Sequence, residues 1–294
     1  MKKGLLVVNG FINDKLNIRF DNLYKMLIES FSKKNYELDL CTNNKLLNII
    51  NESKKMNYDF VLFWDKDVNL AIHLENLGYK VYNSSRAIAI CDDKAKTYLA
   101  LENKGIKMPK TIIVPFTFSN NYYNNFSFID EVIEQLKLPL IIKEVNGSFG
   151  EQVYLCENKE KILELIKQIF PRDFLFQEFI SSSFGKDIRV EVVGDKALGS
   201  VMRIQESGDF RSNVLQGGKM EKVSVDSTYL KMAVDAIKYT GCSFGGVDIL
   251  IGPNNEPILC EVNSNVHFKT FYQTTGINLA DEISEYILLD IKTN

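Results

Sequence analysis

Apolar residues recur along this chain in two rhythms, and the change from one to the other divides it. Residues 4–8 (GLLVV) form an unbroken apolar run that stops at Asn9-Gly10. A run this short, closed by a turn, predicts a parallel strand buried on both faces. Phe20, Leu23, Tyr24, Leu27, Ile28 and Phe31 then recur at helical spacing. The alternation continues through YELDL, a helix around Leu46 to Ile50, the strand YDFVLFW, a helix around Leu70 to Leu77 and the short strand KVYN. Strands and helices in this order predict a small parallel α/β domain over residues 1–88. No glycine-rich phosphate loop follows its first strand, so this domain is expected to shape a substrate cleft rather than hold a dinucleotide.

Beyond it, a helix is predicted from Asp92 to Asn103, closed by Gly105 and followed by Pro109. The stretch FTFSNNYYNNFSF (116–128) has little periodicity and reads as a surface loop, with substrate gating as its alternative role. From Leu138 onward strands dominate: LPLIIKEV, EQVYLC, FLFQEFI, DIRVEVV, ALGSVMRI, GGVDILIG and PILCEVN. Helices are predicted near Glu160 to Ile169 and Ser227 to Tyr239. A last one follows Asn278 as N-cap and buries Ile283, Ile287 and Leu288. Two α+β subdomains, 89–176 and 177–294, are expected after the first domain.

Two acidic residues interrupt the last pair of strands, Asp248 and Glu261, with the turn-like PNNE between them. A four-residue loop at Pro253 to Glu256 would set 248 opposite 261. Directly opposed Cβ atoms lie roughly 4.5–5.5 Å apart, where like charges destabilise a sheet, so a cation is expected between them. Asn263 points the same way as Glu261 and adds an amide oxygen. Two carboxylates and an amide suit Mg²⁺ or Mn²⁺ with positions left for water and phosphate. The plain alternative is a pair of carboxylates at a strand edge facing solvent.

The chain has 294 residues, 45% of them hydrophobic, and a net charge of -3, enough for a large core and without the basic field that nucleic acid demands. No Lys/Arg-rich run lies beside an apolar helix, and no apolar stretch approaches the roughly 20 residues that span a bilayer. The five cysteines lack C-x-x-C spacing and read as reduced and mostly buried, which places the protein in the cytoplasm.

Lys143 ends the apolar run LPLIIK, where an ammonium needs a partner. The turn Asn146 to Val153 (NGSFGEQV) follows, and its glycines let backbone N–H groups approach an anion. A lysine with a Gly/Ser turn between two strands reads as a phosphate clamp or as an ordinary hairpin. Asp187, Arg189 and Glu191 alternate onto one strand face, for which a solvated row of charges is the ordinary reading, above all for Glu191. Arg203 sits in an apolar strand where a guanidinium calls for a carboxylate or phosphate. Arg211 and Asn213 precede Gly217-Gly218 on a predicted loop. His73 reads as a surface or packing residue; His267 lies near the acidic set as a base, a substrate contact or neither. No G-x-S-x-G elbow is present, and no cysteine has an evident His/Asn partner, which speaks against covalent catalysis.

These residues together resemble the ATP-grasp superfamily, specifically its RimK-like carboxylate-amine ligases of α-L-glutamate type. The resemblance starts at NSSRAIAICDDKAKTYLALENKGIKMP and runs through LPLIIKEVNGSFGEQV, QEFI, GKDIRVEVVG, MRIQESGDFRSNVLQGG and GGVDIL to EVNSN and TTGINLADEI. It implies an α/β chain with a small N-terminal domain and two α+β subdomains clamping ATP. Lys94 and Lys143 would contact its phosphates under the loop around Ser148 to Gly150. Gln177, Glu178, Phe179 and Ile180 would form the adenine hinge, and Asp187 would reach the ribose. Arg203 would stabilise the transferred phosphoryl group, Arg211 and Asn213 would complete the phosphate site, and Asp248, Glu261 and Asn263 would bind two Mg²⁺ ions. The implied reaction joins a carboxylate and an amine through an acyl phosphate, often in a homo-oligomer. Phosphotransfer without ligation, or nucleotide binding without turnover, are the alternatives. Glu144, Val266 and His267 depart from the family pattern, the last two on the acceptor side.

Overall fold

The computed structural model describes residues 2–11, 14–46, 57–147, 150–212 and 218–293. Strands β1 (Lys3–Val8), β2 (Glu37–Thr42), β3 (Phe60–Trp64) and β4 (Val81–Tyr82) form a parallel sheet in the order β2-β1-β3-β4. The unbroken apolar runs of β1 and β3 serve two cores at once. Leu6, Val8, Phe60, Leu62 and Trp64 join the helices Asp14–Ser32 and Leu279–Thr293. Leu5, Val7, Val61 and Phe63 face the helix Val68–Asn76. The helix expected around Leu46 to Ile50 lies, apart from Leu46, outside the described residues.

The helix expected over 92–103 is present as Lys94–Leu101, and a separate helix, Ser85–Cys91, precedes it. Ser85–Cys91 is capped by the Ser84 side chain on Ala87 N–H, and Lys94–Leu101 by Asp93 on Lys96 N–H. An N-cap needs non-helical backbone, so the Asp92-Asp93 step breaks the run.

A second sheet, β5-β8-β6-β7, is antiparallel: β5 (Thr111–Ile113), β6 (Leu140–Glu144), β7 (Val153–Cys156) and β8 (Phe174–Glu178). Helices Phe128–Leu136 and Lys159–Ile169 cover one face, and Tyr123 and Phe126 of the Asn/aromatic stretch pack against that core while Phe116 and Phe118 are exposed. Strand β8 runs across position 176/177.

The third sheet, β11-β10-β9-β12-β13, is also antiparallel: β9 (Lys186–Val193), β10 (Lys196–Ile204), β11 (Lys219–Lys222), β12 (Phe244–Ile251) and β13 (Pro257–Asn263). Ile188, Val190, Val192, Val247 and Ile249 pack one face against Ala233, Ala236 and Ile237 of the helix Ser227–Thr240, and against Ala87, Cys91 and Leu101. Alternation then sends Asp187, Arg189, Glu191 and Asp248 to the other face.

Asp248 does stand opposite Glu261, but by a different route from the one expected. The loop has five residues, Ile251 pairing with Pro257, and a bulge at Cys260 restores the register. The bulge turns both Cys260 and Glu261 toward the face that carries Asp248, since Leu259 and Val262 remain in the core beneath.

Candidate active site

Between the two antiparallel sheets and the C-terminal ends of β1 and β3 lies a cleft of about 490 Å³. Every described residue of the expected site lines it: Lys94, Lys143, Gly150, Gln177 to Ile180, Asp187, Arg203, Arg211, Asp248, Glu261 and Asn263. Ser148 and Asn213 lie outside the described residues. His267 lines the cleft and His73 does not.

The floor is a network of buried charges on three adjacent strands. Arg189 grips Asp248 with two bonds, Nε to Oδ1 at 2.6 Å and Nη2 to Oδ2 at 2.8 Å. Arg203 Nη2 reaches Asp248 Oδ2 at 3.0 Å. Arg203 also holds both oxygens of Asp187, Nε to Oδ1 at 2.7 Å and Nη2 to Oδ2. Both oxygens of Asp187 thus set the orientation of that guanidinium. The pairing follows from register, since Arg189 lies beside Asp248 and Arg203 beside Asp187. Burial alone would raise the Asp248 pKa, but Arg189 and Arg203 outweigh it and hold the carboxyl below its usual range. Burial would likewise depress Arg203, and Asp187 with Asp248 keeps it firmly charged. The guanidiniums of Arg189 and Arg203 therefore supply much of the cation expected beside Asp248.

Glu191 corrects the reading of a solvated row. It is 1% exposed, and neither carboxylate oxygen has a hydrogen-bond partner among the described residues. Burial, opposed by Arg189, pushes its pKa up to about 7. The reason is topological: β9 is the middle strand of five, so its polar face lies under the cleft floor.

The cationic wall carries Lys94 and Lys143. Lys94 Nζ donates to Gly147 O at 3.2 Å across the turn after β6, and burial lowers its pKa against the pull of Glu261. Lys143 is buried, its Nζ 3.7 Å from Cys260 Sγ. Neighbouring Glu144 is met by Tyr154 Oη at 2.9 Å and Arg172 Nε at 3.0 Å, so the departure from the family pattern is neutralised locally. Arg211 bridges two loops, pairing with Asp209 at 2.7 Å and donating to Gly150 O at 2.7 Å. At the far end, Phe179 meets Phe184 and Phe210 edge-on with ring centres 6.3 Å apart.

Among the described residues no group of three or more His, Cys, Asp or Glu is placed as a metal cluster. The oxygen set here has two carboxylates and completes itself with an amide. Asn263 Nδ2 points to Asp248 Oδ2 at 3.3 Å, and the Glu261 carboxylate takes no hydrogen bond among the described residues. Hard oxygens with spare lone pairs fit a divalent cation that keeps open positions.

Sequence reasoning overlooked Arg189, Asp65 and Cys260. Arg189 shares the period-two spacing of Asp187, and opposed carboxylates at 248 and 261 called for a cation; together these signals pointed to it.

A doubly covered α/β domain followed by two antiparallel sheets that close on a charged cleft is the architecture of ATP-grasp proteins. The chain belongs to the RimK-like ATP-grasp family: residues 91–287 match the RimK-like ATP-grasp domain. It is 32% identical over 227 residues to N-acetylaspartylglutamate synthase A of Homo sapiens, covering 76% of this chain and 56% of that protein. It is 39% identical over 217 residues to probable alpha-L-glutamate ligase 1 of Shewanella sp., covering 72% and 68%. The chain thus spans about half the length of the synthases it matches. Its fold matches D-alanine–D-alanine ligase from Bacillus anthracis complexed with ATP, with a TM-score of 0.75 at 20% identity over 100% and 99% of the two chains. No helix among the described residues is long and apolar enough to cross a membrane.

Proposed function

We propose that the protein is an ATP-dependent carboxylate-amine ligase. The observation that carries this reading is the convergence of Lys94, Lys143 and Arg203 with Asp248, Glu261 and Asn263 on one cleft between two sheets. A carboxylate is a poor electrophile, so its oxygen attacks the γ-phosphorus of ATP, the bond to the β–γ bridging oxygen breaks, and ADP leaves. The amine nitrogen then attacks the acyl carbon, the carbon–oxygen bond to phosphate breaks, and the nitrogen sheds a proton. Both steps need cations where negative charge accumulates.

Lys94 and Lys143 take ATP phosphate oxygens, and Arg203, aligned by Asp187, faces the transferred group. Gln177 to Ile180 hold the adenine, with Phe179 as its apolar contact. Gly150, tied to Arg211, would cover the phosphates and exclude water from the acyl phosphate, and Ser148 and Asn213 are assigned to the same phosphate contacts by the family resemblance alone. Asp248, Glu261 and Asn263 would hold two Mg²⁺ ions, or Mn²⁺, which when bound neutralise phosphate charge. Two of the relatives are named for glutamate, so glutamate is the first amine to test. Free thiols at all five cysteines support a reducing, cytoplasmic setting.

The test is ADP release with Mg²⁺-ATP against acids and amino acids, with products weighed by mass spectrometry. Amine-dependent ADP release and an amide product are expected. A stable phosphorylated acid that accumulates whatever amine is added would replace this reading with that of a kinase.

A further inference from the structure

The end of the cleft nearest the parallel sheet holds an anion that no cation among the described residues neutralises. Asp65 follows β3 and is 6% exposed. Its carboxylate accepts from Asn9 Nδ2 at 3.1 Å, Asn43 Nδ2 at 3.0 Å and the Lys66 backbone N–H at 2.7 Å, all neutral donors. No ion pair to it forms among the described residues; the neighbouring Lys66 ammonium goes to Asp92. Asp187 and Asp248, in the same cleft, each meet a guanidinium. Burying a carboxylate costs several kcal/mol unless a counter-charge arrives. Among the described residues no side chain supplies that counter-charge, which leaves the place to a ligand.

Two more polar groups on this wall are unmatched. Trp64, 4% exposed, has an Nε1–H without an acceptor, and Asn265 has an Oδ1 without a donor, among the described residues. Buried groups that a chain leaves unmatched are met by water or ligand. Asn265 also donates Nδ2 to the Asp65 carbonyl at 2.8 Å. It stands two residues past Asn263, at most about 7 Å along the chain, and lines the same cleft as Asp65. Asn9, Trp64, Asp65 and Asn265 all line the cleft.

We propose that this wall is the subsite of the amine substrate, an α-amino acid whose ammonium is received by Asp65 and passes one proton to solvent before the freed nitrogen attacks the acyl carbon. The proposal rests on the ligase reading. Charge sorts the two substrates: a carboxylate is repelled from Asp65 and drawn to the Lys94, Lys143 and Arg203 side, whereas the amine is held where it can meet the acyl phosphate. Asp65 is on this account a specificity-determining residue. The ordinary alternative is that it only ties together the ends of β1 and β2 through Asn9 and Asn43.

The experiment compares the wild type with Asp65→Asn, which keeps the volume and an accepting oxygen but loses the charge. ADP release is measured with Mg²⁺-ATP, a panel of N-acetylaspartate, citrate and peptides ending in glutamate as acids, and varied L-glutamate as amine. In parallel, hydroxylamine, uncharged near neutral pH, traps the acyl phosphate as a hydroxamate without needing an ammonium site. The variant is expected to raise the KM for glutamate by about tenfold or more, about 1.4 kcal/mol. KM for ATP and the rate of hydroxamate formation are expected to stay as in the wild type. An unchanged KM for glutamate overturns the proposal, and so does an equal loss of amide and hydroxamate, the mark of a structural tie. If the wild type forms neither amide nor hydroxamate with any acid of the panel, the ligase reading itself fails and takes this inference with it.

Discussion

Replacing Glu191 with glutamine isolates the cost of burying one carboxyl under the cleft floor. Its lateral neighbours in the sheet are Gly199 on β10 and Gly246 on β12. A Cβ on Gly246 would stand 2.9 Å from Glu191 Oε2, so that glycine gives the carboxyl its space. The nearby guanidiniums are committed to Asp187 and Asp248, and burial prevails, moving the pKa from 4.5 to about 7. A rise from 4.5 to about 7 corresponds to roughly 3 kcal/mol. The folded carboxyl holds its proton more tightly than the unfolded one. Its contribution is therefore complete below pH 4.5 and is lost as pH rises through about 7. Glutamine does not titrate, so from about pH 5 to pH 8 the variant should gain roughly 2–3 kcal/mol on the wild type, whatever constant offset the buried amide adds. Urea denaturation of both proteins at several pH values across that window reads the difference, in which titrations shared by the two proteins cancel. Parallel stability curves would refute the assignment of a buried, ionisable and unpaired Glu191.

Other outcomes follow from the same geometry. Glu261→Gln should cut ADP release by about a hundredfold or more, the scale of losing one charge-stabilising group, while its thermal midpoint stays put because the carboxylate has no hydrogen bond to lose among the described residues; wild-type turnover would sink the metal assignment. Asp248→Ala should also abolish turnover but should lower stability by about 3–5 kcal/mol, since it strips Arg189 and Arg203 of a buried partner, and an unchanged denaturation midpoint would contradict the network. Lys143→Met should raise the KM for ATP and lower turnover while leaving the melting temperature equal or higher, because among the described residues the ammonium meets only the Cys260 thiol; a clear drop in melting temperature would show a structural partner instead. Gly246→Ala should cost about 1–3 kcal/mol by overpacking, read in the same urea titration, because its Cβ would lie 2.7 Å from Val266 and 2.9 Å from Glu191.

Much of the site was legible in the sequence because strand alternation fixes facing without knowledge of neighbours. Asp248, Glu261 and Asn263 were placed together from parity and a four-residue loop, and the structure reaches the same pairing with a five-residue loop and a bulge at Cys260. The both-face burial of β1 and β3 was equally readable, from apolar runs without alternation. What parity cannot give is a strand's position within its sheet. The charged face of β9 looks solvated when the strand is considered alone, and only its central place between β10 and β12 buries Glu191 and pairs Arg189. Strand β11 and the helix Lys269–Thr275 were not anticipated either: KMEK has no apolar alternation, and KTFYQTT buries only Phe271. Asp65 was invisible for a related reason, since one acidic residue after FVLFW reads as a strand terminator until tertiary contacts show what surrounds it.

The charges in the cleft sort themselves by whether the chain answers them. Asp187 and Asp248 balance Arg189 and Arg203, two against two, and their mutual bonds make the floor rigid. Glu191, with its pKa pushed up to about 7, is half ionised at that pH and becomes neutral below it. Lys94 and Lys143 have no carboxylate in hydrogen-bond contact, and Glu261, near enough to pull on Lys94, and Asp65 have no cation in contact, among the described residues. Leaving four ionised groups unanswered in a cleft opposes folding, so such groups persist where ligands answer them. The two cations match the phosphates of a nucleotide, Glu261 matches the metal that accompanies it, and Asp65 is left over. A nucleotide with its metal therefore leaves the Asp65 carboxylate unanswered; the ammonium group of an amino acid, as proposed above, would answer it, which an amine-accepting ligase calls for and a simple phosphotransferase does not.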